Sequence, residues 1–223
     1  MPARALFIAG AGTEIGKTYV TAALTRRLRA QGRTVRTVKP LASGVPPLSD
    51  PGFVESDTAR LLDAQGLALD EEAVEACSPW RFAAPLSPDQ AAVLEGRSLD
   101  LADLVSWCRA EIARTQDTLL IEGVGGLMSP VTEAATGLDW LRGLGVPALL
   151  VSGSYLGAIS HALTACETLR LHDVPLRAVV VSESPGAPAP AATVAAAIAR
   201  HAGAPVFCLR RGDACPEELT GSI

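Results

Sequence analysis

The sequence predicts an α/β fold, a doubly wound and mostly parallel sheet with helices on both faces. Short runs rich in Val, Ile and Leu recur along the chain, helical patterns separate them, and most of the runs lack polar-apolar alternation. Strands that are apolar on both sides are buried on both sides, which happens in parallel sheets covered by crossover helices.

The first strand is predicted over residues 5–9 (ALFIA), and it runs into a glycine-rich turn. A helix over residues 17–31 follows, with Val20, Ala23, Leu24 and Leu28 on one face and a stop at Gly32. Residues 34–39 supply the second strand and close a βαβ unit. The interval 41–97 breaks the rhythm: Pro and Gly are scattered through it, a helix is predicted over 57–65, and residues 78–88 are punctuated by proline. Long insertions at strand ends commonly build substrate sites. Further strands are predicted over 118–121, 147–151, 178–181 and 205–209, with a turn and a small-residue helix in 184–197.

At 223 residues and 48% hydrophobic content, the chain can bury a sizeable core, expected as one α/β domain over residues 1–223. Nineteen basic residues against 24 acidic ones give a net charge of -5, with no basic cluster beyond Arg26-Arg27 and Arg210-Arg211. That excludes the electrostatic footprint of a nucleic-acid or anionic-membrane partner. The five cysteines are scattered, odd in number and without a C-x-x-C pair, as expected of reduced thiols. With no signal-peptide pattern and no apolar stretch of roughly 18 residues, a soluble cytoplasmic protein is expected.

The turn after the first strand reads Gly10-Ala11-Gly12-Thr13-Glu14-Ile15-Gly16-Lys17-Thr18. Between a strand and a helix this is a P-loop, and it makes the fold P-loop NTPase-like. Glycines let successive N–H groups face phosphate oxygens and the helix N-terminus adds positive potential. Lys17 can reach the β and γ phosphates, and the Thr18 hydroxyl can hold Mg2+. The usual motif G-x-x-x-x-G-K-[S/T] has its first glycine where this chain has Ala11.

A P-loop holding Mg2+ calls for a carboxylate at another strand end, and Glu122 supplies one, followed by Gly123-Val124-Gly125-Gly126. Asp57 is a second candidate, although Ser56 or Asp57 also reads as an ordinary helix N-cap before residues 58–62. Lys39 ends the second strand with Pro40 behind it, so its ammonium is expected over the C-terminal edge near the phosphates.

Together with Val38-Lys39-Pro40-x-Ala42-Ser43-Gly44, Phe82-x-x-Pro85-x-Ser87-Pro88, Glu95-Gly96-Arg97 and Leu156-Gly157-x-Ile159-x-His161, these segments resemble the dethiobiotin synthetase family over roughly residues 5–183. The resemblance implies ATP- and Mg2+-dependent closure of a cyclic urea from 7,8-diaminononanoate and CO2 or bicarbonate in biotin biosynthesis. It implies Lys39, Lys17 and Thr13 as catalytic residues, and Thr18, Asp57 and Glu122 as magnesium ligands. Nucleotide contacts are implied for Gly12, Thr13, Glu14, Ile15, Gly16, Lys17, Thr18 and Tyr19, for Asp57 and Glu122, for Gly123, Val124 and Gly125, and for Ser182 and Glu183. Ser43, Leu156 and Gly157 would meet the substrate, the last two across a homodimer interface.

Two departures fall at the base-binding end. Many relatives have Asn-Asp where this chain has Ser182-Glu183, and a Gly-x-[Ile/Leu]-Pro stretch where it has Cys208-Leu209-Arg210-Arg211-Gly212. The alternative function is another P-loop ATPase, either a partitioning-type switch or a cobyrinate-type amide ligase. The former commonly carries an extra lysine early in the loop, where this chain has Ala11 and Gly12, and the latter carries an amidotransferase domain absent from this chain.

Overall fold

In the computed structural model, which describes residues 4–221, the predicted apolar runs pair side by side. In chain order the elements begin with β1 (Arg4–Gly10), α1 (Lys17–Ala30), β2 (Val35–Val38) and β3 (Leu41–Ser43). A 3-10 turn at Pro51–Glu55 precedes α2 (Asp57–Gln65), α3 (Glu71–Cys77), β4 (Trp80–Phe82) and α4 (Pro88–Leu94). Then come α5 (Leu101–Arg114), β5 (Thr118–Glu122), β6 (Pro130–Thr132), β7 (Ala135–Thr136) and α6 (Gly137–Leu144). The chain finishes with β8 (Ala148–Ser152), α7 (Ala158–Leu171), β9 (Leu176–Ser182), α8 (Ala191–Ala199), β10 (Val206–Leu209) and α9 (Glu217–Thr220).

Among the described residues the main sheet has the order β10-β9-β8-β1-β5-β2, and every neighbouring pair in it is parallel. Alternate residues along each strand enter opposite cores, because successive side chains of a strand point to opposite faces. Leu6 and Ile8 of β1 pack with Val20, Leu24 and Leu28 of α1, while Phe7 and Ala9 pack on the other side with residues of α5 to α8. Trp140 of α6 meets Phe7 edge to face, with ring centroids 5.0 Å apart, which fits the quadrupoles of the two rings.

The predicted strands stand within a residue or two of their expected limits, and α1 stops short of Gly32 as foreseen. The interval 41–97 holds more order than its composition showed. β3 and β4 form a separate parallel pair, with Leu41 opposite Trp80 and Ser43 opposite Phe82. The second strand ends at Val38, one residue before Lys39, because the Lys39 N–H donates to the Cys77 carbonyl at 3.0 Å and so leaves the main sheet.

Candidate active site

The carboxyl ends of β1, β2 and β5 converge with α2 on a cleft of about 720 Å3, the edge where ligands bind in open parallel sheets. β1 delivers the chain to Gly10, which has no room for a side chain. A Cβ there would lie 2.7 Å from the Gly125 carbonyl oxygen and 2.9 Å from Lys17 Cδ. The glycines after β5 are packed against the P-loop: the Leu127 N–H donates to the Gly10 carbonyl at 2.7 Å, and a Cβ on Gly126 would lie 3.3 Å from Gly12 Cα. Close approach of two backbones therefore accounts for Gly10 and Gly126, while Gly16 and Gly125 sit at positive φ.

The loop's conformation also accounts for Ala11. Among the described loop residues the left-handed region is occupied by Glu14 (φ 56) and Gly16 (φ 89), and not by Ala11, so the motif's departure carries no backbone penalty. A glutamate at positive φ is a strained conformation that surrounding structure must hold, and such residues concentrate at ligand clamps. At the start of α1 no side chain caps the helix and no acidic residue lies in its first turn. Its first N–H groups are therefore open to an anion.

Beneath the loop the charged side chains form one knot. Lys39 Nζ lies 2.7 Å from Glu122 Oε1 and 2.6 Å from Asp57 Oδ2. The Thr18 hydroxyl donates to the same Glu122 Oε1 at 2.6 Å, and Glu122 Oε2 is buried without a hydrogen-bond partner. Burial pulls the Lys39 pKa down, but Glu122 and Asp57 outweigh it and hold the ammonium above its ordinary value. Burial raises Asp57, and the Lys39 charge overcomes this and keeps the carboxyl below the usual range. Lys17 makes no ion pair among the described residues; its ammonium donates to the Gly12 carbonyl at 3.1 Å. Burial, and then the positive charge of Lys39, lower it to about 8.

Asp57 is free for this role because its neighbour does the capping: Ser56 Oγ accepts the Ala59 N–H at 3.2 Å, leaving Asp57 as the first helical residue of α2. Thr18, Asp57 and Glu122 form a set of hard oxygen donors. Such a set suits Mg2+, which binds through one or two carboxylates and retains water and phosphate ligands, and the partnerless Glu122 Oε2 supplies an acceptor for it. Among the described residues no cluster of three or more His, Cys, Asp and Glu side chains could hold a metal by itself.

Thr13, Glu14, Ile15, Gly16, Lys17, Thr18, Tyr19, Lys39, Ser43, Asp57, Val124 and Gly125 line the cleft, with Glu122 buried behind them. Gly12 and Gly123 are not among the lining residues: Gly12 accepts from Lys17, and the Gly123 N–H donates to the Ile8 carbonyl at 3.1 Å. Ser182 is buried beneath Gly16, and Glu183 accepts the Arg211 backbone N–H at 2.9 Å. Leu156 and Gly157 stand at the start of α7, away from this cleft, with Leu156 87% exposed. The sequence reading did not select Arg60, Ser129 or Arg211, which also line the cleft. Arg60 follows Asp57 at helical spacing and was visible in principle; Arg211 stood out only as part of a departure from the family pattern, and its contact with Tyr19 has no local trace.

The AAA domain family matches residues 4–209. An ATP-dependent dethiobiotin synthetase from Methylobacterium nodulans is 69% identical over 215 residues, covering 96% of each chain. The chain belongs to the dethiobiotin synthetase family. It is accordingly an ATP-dependent ligase with a role in biotin biosynthesis. The Caulobacter sp. strain K31 synthetase is 48% identical, covering 94% of this chain and 89% of its own. Among solved structures, the FtsY cell-division protein of Thermotoga maritima aligns with a TM-score of 0.52 at 16% identity, covering 96% of this chain and 63% of that one. The ParA family ATPase of Chlorobium tepidum gives a TM-score of 0.50 at 12% identity, covering 98% and 88%. At these identities the likeness is one of fold: the α/β P-loop NTPase architecture.

Proposed function

We propose that the chain closes the ureido ring of dethiobiotin from 7,8-diaminononanoate and CO2, using ATP. The observation that carries this reading is the buried Lys39 held between Glu122 and Asp57 directly beside the P-loop. A lysine so paired remains an ammonium, and therefore serves as a fixed positive charge and not as a base.

One substrate amine takes up CO2 as a carbamate and releases a proton. Lys39 orients and stabilises that anion in a site walled by Ser43 and the residues before α4. A carbamate oxygen attacks the γ-phosphorus and ADP leaves, with Lys17 and Thr13 placed to neutralise and position the transferring phosphoryl group. The second amine then attacks the activated carbonyl, the ring closes and phosphate departs, so no protein nucleophile is required. Thr18, Asp57 and Glu122 would hold Mg2+, which when bound supplies charge neutralisation to the triphosphate.

A cytoplasmic homodimer belongs to the same proposal, with Leu156 and Gly157 offered to the substrate of a neighbouring copy. Supporting it are the position of this pair outside the chain's own cleft and the uncapped N-terminus of α7 behind Gly157, which suits a carboxylate. Single-turnover product analysis with diaminononanoate, labelled bicarbonate and ATP tests the function. Label in a cyclic urea product is expected; ADP formation without labelled urea would reject it.

A further inference from the structure

Arg211 lines the same cleft as Lys39, in the stretch where the chain departs from the family's Gly-x-[Ile/Leu]-Pro pattern, and its position is fixed from several sides. Its guanidinium lies over the Tyr19 ring, 4.3 Å from the centroid. Its backbone N–H donates to Glu183 Oε2 at 2.9 Å, and its Nε–H to the Glu183 carbonyl at 3.1 Å. The Tyr19 hydroxyl secures the same turn, donating to the Arg210 carbonyl at 2.9 Å and accepting the Gly212 N–H at 2.8 Å. An exposed arginine ordinarily keeps wide rotamer freedom. This one is held to the first turn of α1 and to the end of β9.

The contacts that hold it do not use its terminal nitrogens. Among the described residues Arg211 makes no carboxylate ion pair, and its Nη2 lies 3.1 Å from the point a Cβ on Gly16 would occupy. Gly16 immediately precedes the uncapped N–H groups of α1. The P-loop is thus flanked by two cations, Lys17 over Gly12 and Arg211 beside Gly16 and Tyr19. A guanidinium presents paired N–H donors that match the oxygens of a phosphate, and one already ordered loses less entropy on binding.

We propose that Arg211 is a nucleotide-binding residue, contacting the polyphosphate at its ribose end while Tyr19 and Glu183 hold it in place. The inference rests on the nucleotide-binding reading of this cleft. It follows that affinity at this end depends on charge and is shared by nucleotides of different base. Arg211→Gln should weaken every nucleotide equally, whereas a residue that reads or stacks on the base would change their ranking.

Calorimetric titration of the wild-type chain, Arg211→Gln and Arg211→Lys with the magnesium complexes of ATP, GTP and CTP tests this. Wild-type binding of Mg-ATP checks the cleft reading separately, and its absence would remove both. For each nucleotide the wild type binds, Arg211→Gln is expected to bind about tenfold more weakly, with Arg211→Lys between the two. The difference should shrink as salt rises to about 0.5 M. Should the glutamine variant fail to fold, Tyr19→Phe, which frees the turn and keeps the guanidinium, is expected to give a smaller uniform loss. Affinities within about a factor of two of wild type, or a loss confined to one base, would overturn the proposal.

Discussion

Lys39 Nζ and Glu122 Oε1 meet at 2.7 Å although 83 positions separate them, and strand register explains why. Val38 pairs with Ile121 in neighbouring parallel strands, so the residues that follow leave the sheet side by side at its carboxyl edge. Both side chains are buried, and Thr18 and Asp57 complete the group from two different helices.

Lys39→Ala should separate binding from turnover. Nucleotide is held mainly by the P-loop, so its affinity should change little, while kcat should fall by about 100-fold or more as the carbamate loses its fixed charge. Leaving Glu122 buried without its cation should also cost about 3 kcal/mol of stability, the low end for a broken buried pair because Asp57 reaches solvent. Calorimetry, phosphate release and thermal melting check the three parts; full turnover would remove Lys39 from the chemistry.

Glu122→Gln keeps an oxygen for Thr18 and Lys39 but removes the charge behind the partnerless Oε2. Half-saturation by magnesium in the phosphate-release assay should move to about tenfold higher concentration or beyond. An unchanged magnesium dependence would take Glu122 out of the proposed cation site.

The lowered pKa of Lys17 predicts a pH dependence of binding. In the free chain Lys17 titrates at about 8, and a neighbouring polyphosphate raises that value by favouring the ammonium. Binding therefore takes up a proton above pH 8. Affinity for metal-free ADP should be level below about pH 8 and weaken above it, by about tenfold near pH 9.5. Titrations in two buffers of different ionisation enthalpy measure the proton directly, and a level affinity across this range would contradict the assignment.

Gly10→Ala tests the packing of the two glycine segments. The added methyl would press on the Gly125 carbonyl at 2.7 Å, and backbone cannot yield as a flexible side chain does. A stability loss of about 1–3 kcal/mol is expected, together with weakened nucleotide binding as the loop shifts. Wild-type melting and affinity would show that the two backbones are not tightly seated.

Much of this was legible in local pattern. Unbroken apolar runs marked the buried strands, and the strand–glycine–helix context marked the P-loop, because each reflects the surroundings of only a few consecutive residues. Strand order was not legible, nor was the pairing of Leu41–Ser43 with Trp80–Phe82, since register between distant segments leaves no periodic trace. Asp57 shows the same limit: its spacing alone reads as a cap, the family resemblance is what marked it as a site acid, and the observed Ser56 cap leaves it free to meet Lys39. Arg211 reads as a departure in the sequence and becomes interpretable only through its contact with Tyr19.

Phosphate release from Mg-ATP, measured with diaminononanoate and bicarbonate each present or withheld, decides whether ATP cleavage is coupled to ring closure. Release is expected only when both are supplied, with one phosphate for each dethiobiotin formed. Release at the same rate without the diamine or without bicarbonate would contradict it.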